Sequence, residues 1–199
     1  MNDYMGNSNK KKEIIEKYNS TSDFYDKRYK KIQEEKYKVT FNSFQIEKKV
    51  FLDVGCGSGL LFEFILKEKK NYHIKALNYI GIDISLNMLK LFVKKYRSWI
   101  KNVNINLILA DVENLPLRNN KVDLIYSITS LQNLSNMISG IKEIIMVSKH
   151  MANLHLSILK KTLNLELLVL FLKPNIINLK ITNIENIEDL ILQGNLIKN

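Results

Sequence analysis

Val50-Phe51-Leu52-Asp53-Val54-Gly55-Cys56-Gly57-Ser58-Gly59 is the stretch on which the fold turns. An apolar, β-rich run enters three glycines at alternate positions, and an amphipathic helical pattern begins directly after them. Glycine at such a turn lets the backbone bend sharply and lets a ligand approach the main chain with no Cβ in the way. The amides of the turn and of the helix start then converge on whatever polar group sits above the strand end. Strand, glycine turn and helix in that order build a nucleotide-type site in an open α/β sheet. The spacing narrows the ligand. A dinucleotide fingerprint needs G-x-G-x-x-G, and Leu60 stands where its third glycine belongs; the Lys-Ser/Thr ending of a P-loop is also missing.

The same grammar recurs downstream. Asn78 to Ile84 reads as a second buried strand carrying Asp83 at its end, and Ser85 is placed to cap a helix with Met88, Leu89, Phe92, Val93, Tyr96 and Trp99 on one face. A third strand, Asn104 to Ala110, ends on Asp111, and the Pro116-containing loop 112–121 follows. Val122 to Ile128 is a fourth strand, Leu134 to about Val147 a helix, and Asn153 to Leu159 a fifth strand. A short helix from Lys161 stops before Pro174. Two β-like runs, Ile176 to Ile184 and Asp189 to Ile197, have only residues 185–188 between them, too few for a crossover, so they pair antiparallel. Strands alternating with helices predict an α/β, Rossmann-like three-layer sandwich with a mostly parallel sheet.

Ahead of this core, residues 1–12 read as a flexible, Lys-tipped tail. Residues 14–49 read as a helical lid, with Tyr25, Tyr29, Ile32, Tyr37, Phe41 and Phe44 on one face. Ser20-Thr21-Ser22-Asp23 interrupts the pattern and predicts two helices rather than one. The organisation expected is therefore a tail followed by a single domain, 13–199, whose core is 50–199.

Composition excludes several classes. A chain of 199 residues is long enough for one well-cored domain. Its single cysteine, Cys56, permits neither an internal disulfide nor a cysteine-based metal site, and fits a reducing compartment. Apolar runs fall far short of the roughly 18 residues of a membrane span, and no signal-peptide core precedes the domain, so a cytoplasmic protein is expected. The formal charge of +10 invites nucleic acid as a partner, and residues 1–50 carry 12 basic against 8 acidic groups. A codon-driven enrichment in Asn, Ile and Lys explains the same excess without any partner.

The residues also carry a family resemblance. Leu52 to Gly59 resembles the first motif of the class I S-adenosylmethionine-dependent methyltransferases. Gly81-Ile82-Asp83-Ile84-Ser85 resembles the second, Leu109-Ala110-Asp111 the third, and Val122 to Ser127 the fourth strand. The likeness covers about residues 50–134 closely and implies S-adenosylmethionine as cofactor. It also implies a seven-stranded sheet of order 3-2-1-4-5-7-6 with strand seven antiparallel. By that resemblance Gly55, Cys56, Gly57, Ser58 and Gly59 run under the methionine and ribose portions, and Asp53 meets the ammonium. Asp83 and Ile84 take the ribose, Asp111 and Val112 the adenine, and Ser127 and Ile128 line the pocket near the sulfonium. Tyr18 and Phe24-Tyr25-Asp26 are similar to an N-terminal segment of the ubiquinone/menaquinone-biosynthesis-like branch that folds over the cofactor. Packing of an aromatic helix face accounts for them equally well.

The substrate side is thinner. No Asn/Asp-Pro-Pro-aromatic tetrad follows the fourth strand, and Gln132-Asn133 stand where the small-molecule branch often has a histidine. Gln and Asn can orient a nucleophile but cannot take its proton. His73, His150 and His155 lie elsewhere and read as structural, so no general base is named and no metal is implied. The expected activity is methyl transfer to a small molecule. RNA is the alternative acceptor, and a non-catalytic cofactor-binding partner subunit is a second alternative.

Overall fold

The computed structural model describes residues 2–41, 49–68, 77–100 and 104–198. Its elements are α1 (Asn2–Thr40), β1 (Val50–Val54), α2 (Leu60–Glu68), β2 (Asn78–Asp83), α3 (Leu86–Ile100), β3 (Asn104–Leu109) and β4 (Val122–Ile128). There follow α4 (Met137–Val147), β5 (Ser148–Leu159), α5 (Leu165–Leu172), β6 (Ile176–Asn183) and β7 (Asp189–Leu196). The strands form one sheet of order β3-β2-β1-β4-β5-β7-β6, parallel except that β7 runs antiparallel to both β5 and β6. This is the order the motif resemblance implied.

Two cores flank the sheet, because successive strand residues point to opposite faces. Phe51, Tyr79, Leu124 and Tyr126 face α1, α2 and α3, while Leu52, Ile82, Ile125 and Leu154 face α4 and α5. On the first face, aromatic rings line up across four neighbouring strands. Tyr79 stacks on Phe51 at 5.5 Å, Phe51 on Tyr126 at 5.1 Å, and Tyr126 on His155 at 4.5 Å. Burial holds the His155 imidazole down at about 3, so it sits in this row as a neutral ring hydrogen-bonded to Gln193.

Several boundaries differ from the sequence reading, each for a local reason. The two helices expected before β1 are one, α1, which also runs through the stretch expected as a tail. The Ser20 and Thr21 hydroxyls donate to the Lys17 carbonyl and Ser22 donates to Asn19, so these residues satisfy themselves on the helix rather than break it. The fifth strand starts at Ser148, not Asn153, through a register shift opposite Val122–Leu124 with Met151 at φ +64°. α4 starts at Met137 and not at Leu134, because Asn136 caps it; a 3₁₀ turn at Leu131–Asn133 precedes it. Similarly, Asn164 caps α5 later than expected. Phe44 and His73 lie outside the described residues. Among the described residues no helix is long and apolar enough to cross a membrane.

Candidate functional site

A cavity opens above the C-terminal ends of β1, β2, β3 and β4. That is where an open parallel sheet leaves backbone groups and loop glycines free to meet a ligand. Its floor comes from the glycine turn, its walls from Asp83-Ile84, Asp111-Val112-Glu113 and Ile128-Thr129-Ser130, and its roof from Lys11, Ile14, Tyr18 and Tyr25 of α1.

The turn is shaped by its glycines. Gly55 sits at φ +75°, and a Cβ there would lie 2.4 Å from the Cβ of Ser130. Gly57, at φ +53°, has open space where its Cβ would be. The first glycine therefore lets β4's loop close in, and the second leaves room on the cavity side. Asp83 fixes the turn: its Oδ2 accepts from the Gly57 amide at 2.8 Å and its Oδ1 from the Ser85 amide at 2.8 Å. A carboxylate has about four acceptor positions, so each oxygen keeps capacity for a ligand hydroxyl. Burial raises the Asp83 pKa and the backbone amides oppose the rise.

Asp53 lies deeper. It is 3% exposed, accepts from the Tyr79 hydroxyl at 2.5 Å, and is pushed up to about 7 by desolvation, with Asp83 adding to the rise. It lines a second, smaller chamber of about 320 Å³ behind the turn, together with Cys56 and Ser58. Burial pushes the Cys56 thiol up, and its sulfur lies against Gly81, where a Cβ would come within 2.9 Å. Cys56 thus packs as a small apolar residue. Gly59 (φ +85°) turns towards Phe92 and Tyr96 and lines neither chamber.

Asp111 is at the cavity wall, with Oδ1 accepting from the Glu113 amide and Oδ2 paired to Lys11 at 2.6 Å. Glu113 also meets Lys11, at 3.2 Å, and accepts from the amides of Ser135 and Asn136. Burial alone would lower the Lys11 pKa, but its two carboxylate partners raise it. Tyr18 and Tyr25 both reach the cavity, their hydroxyls held protonated by burial, and the Tyr18 hydroxyl accepts from Asn133 at 2.9 Å.

Two expectations about the post-β4 loop change. Ser127 is fully buried and bonds the Ser130 hydroxyl at 2.6 Å; Thr129 and Ser130 are the residues that reach the cavity beside Ile128. Gln132 does not line the cavity; within the 3₁₀ turn only Asn133 does. The reason is geometric: Thr129 adopts φ +56°, which redirects the chain as it leaves β4. Thr129 is held there by a buried network. Its hydroxyl accepts from Lys36 Nζ at 2.7 Å and donates to Asp189 Oδ2 at 2.7 Å, while Lys36 pairs with Asp189 Oδ1 at 2.8 Å. Residues not anticipated from sequence thus include Lys11, Glu113, Thr129, Ser130 and the Lys36–Asp189 pair. The acidic Glu113, two residues past Asp111, was the one local signal.

Residues 51–150 match the family model for the methyltransferase domain. Over 87 residues the chain is 32% identical to the malonyl-[acyl-carrier protein] O-methyltransferase of Hamiltonella defensa subsp. Acyrthosiphon pisum (strain 5AT), a match covering 44% of this chain and 29% of that relative's length. Among solved structures, a protein of Methanococcus maripaludis provisionally assigned as an S-adenosyl-L-methionine-dependent methyltransferase superposes with a TM-score of 0.73 and 18% identity. That superposition covers 91% of this chain and 94% of the other. A SAM-dependent methyltransferase from Aquifex aeolicus gives 0.69 and 18%, covering 90% and 98%.

Proposed function

The chain belongs to the methyltransferase-domain family, whose cofactor is S-adenosylmethionine, and from that premise we propose that it moves a methyl group from this cofactor to a small acceptor bearing an anionic oxygen. The observation that carries the cofactor reading is Asp83 at the end of β2, locked to the glycine turn through Gly57 and Ser85 with acceptor capacity to spare. Its two oxygens suit the two ribose hydroxyls. Gly55 and Gly57 lie under the methionine and ribose portions, Asp53 towards the ammonium, Asp111 and Val112 towards the adenine, and Ile128, Tyr18 and Tyr25 around the sulfonium. When bound, S-adenosylmethionine supplies a methyl group made electrophilic by the sulfonium that carries it. The protein's part is then to align the acceptor, exclude water and stabilise the positive sulfur with aromatic faces.

Two observations support an anionic acceptor. First, the ionisable groups lining the cavity are Lys11, Tyr18, Tyr25, Asp83, Asp111 and Glu113, and each is paired, amide-bonded or held protonated by burial. An acceptor that is already an anion needs no base. Second, the relative at 32% identity is by its name an O-methyltransferase of malonyl-acyl-carrier protein. A carboxylate oxygen is therefore favoured, and Asn133 is positioned to orient it. A cavity roofed by a helix and lined by Tyr18 and Tyr25 suits a small molecule or a short carrier-borne group.

The test is calorimetry with S-adenosylhomocysteine followed by transfer of labelled methyl into small-molecule carboxylates. Asp83→Ala is expected to weaken cofactor binding by about 1–3 kcal/mol. The labelled product is expected to release methanol in mild alkali, as a methyl ester does. Alkali-stable label overturns the carboxylate reading while leaving methyl transfer intact.

A further inference from the structure

The smaller chamber behind the glycine turn is lined by a residue with a group that nothing among the described residues satisfies. Gln33, on α1, is 5% exposed and lines this chamber with Asp53, Tyr25 and Tyr37. Its carbonyl oxygen, Oε1, is buried and has no partner among the described residues. A buried amide carbonyl without a donor is costly, and folded proteins rarely keep one without cause. Facing the same chamber is the Asp53 carboxyl, displaced to about 7 by burial for want of a compensating cation. The nearby Lys36 does not serve, since its ammonium is committed to Thr129 and Asp189.

One buried carboxyl and one orphaned carbonyl make an acceptor-rich chamber that calls for a compact cation with several N–H donors, which is the description of an ammonium. The chamber adjoins the main cavity, with Tyr25, Gly55, Gly57 and Ile128 lining both. We infer that Gln33 is a cofactor-binding residue: its Oε1 accepts from the ammonium of the cofactor's amino-acid portion, which it shares with Asp53. The assignment rests on the reading that the main cavity takes S-adenosylmethionine. It makes α1 a participant in ligand recognition and not only a roof.

The discriminating probe is a pair of ligands that differ in that portion alone. S-adenosylhomocysteine carries the ammonium and 5′-methylthioadenosine lacks it. In calorimetry, Gln33→Met is expected to weaken S-adenosylhomocysteine about tenfold or more and to leave 5′-methylthioadenosine within about twofold. The ligand-free variant is expected to melt no lower than the wild type, because an unsatisfied buried group has been removed. Gln33→Ala reports the same ratio should the Met side chain not be accommodated. Unchanged S-adenosylhomocysteine affinity, or an equal loss for both ligands, overturns the role of Gln33. A wild-type protein that binds neither ligand overturns the cofactor reading itself.

Discussion

The two ends of α1 are each fastened by a lysine–aspartate pair, and the pairs could hardly be placed more differently. At the front, above the cavity, Lys11 meets Asp111 at 2.6 Å with side chains 32% and 27% exposed. At the rear, Lys36 meets Asp189 at 2.8 Å with side chains 3% and 0% exposed. Water and salt screen the first pair, so its contribution is small. The second is sealed, has Thr129 and Ser157 hydroxyls completing its bonds, and adjoins Thr40, whose carbonyl accepts from Tyr126 and Gln193. Between them, Asp26 binds Lys95 at 2.5 Å and the Ser58 hydroxyl, and Lys30 binds Glu63 at 2.5 Å. The front of α1 is thus the end whose side-chain tether costs less to break.

The contrast can be broken experimentally, beginning where the expected effect is largest. Lys36→Met leaves Asp189 buried without its cation and is expected to cost about 3–5 kcal/mol in urea denaturation. Pairing it with Asp189→Leu should recover much of that loss, and a simple doubling would show the two side chains act separately.

The chamber beside the middle of α1, which Gln33 and Asp53 both line, is reached through pH. Asp53 has a folded-state pKa near 7, above its ordinary value of 3.8, so the ligand-free protein binds more protons than the unfolded chain between those values. The contribution is fully present below pH 4 and is lost as pH rises through 7, on the order of a few kcal/mol in all. Cofactor binding should follow the opposite course and strengthen from pH 5 to 7 as the carboxylate forms. Melting curves and calorimetry across that range check both slopes, and Asp53→Asn should flatten them.

Thr129→Val removes the hydroxyl that ties the post-β4 loop to the rear pair but keeps the left-handed backbone. A loss of about 1–3 kcal/mol is expected, together with weaker cofactor binding. The smallest effect belongs to the front. Lys11→Ala should change stability by less than about 1 kcal/mol, and the difference should vanish in 1 M salt. A front pair as costly to break as the rear one would erase this contrast.

What could be read from sequence, and what could not, follows the range of the interactions. The glycine turn, Asp83 and the closing hairpin announce themselves through neighbours within a few residues: an apolar run, a tight turn, a loop too short for a crossover. Gln33 and Lys36 carry no such mark. They sit in Lys31-Ile32-Gln33-Glu34-Glu35-Lys36, which looks like any solvated helix face; the partners of Lys36 lie 93 and 153 positions away, and the chamber lined by Gln33 is built largely from the glycine turn. Thr129 reads as an ordinary β-branched residue after a strand, and its φ of +56° is imposed by contacts 93 and 60 positions away. Ser20 to Asp23 misled for the converse reason, since hydroxyls that often stop a helix can also bond back to it. Strand order was legible; the roof of the cavity was written in long-range pairs.

The rear pair has a consequence for assembly. Lys36 and Asp189 are 153 positions apart, and Asp189 opens the last strand of the sheet. During synthesis α1 is made well before β7, yet its firmest tether needs Asp189 at the start of that strand. Tyr37 and Phe41, which α1 contributes to the core, must wait with it. Such a distant contact is entropically expensive and forms late. The Lys36–Asp189 tether, and with it the rear anchorage of the cavity's cover, therefore requires β7 to be in place.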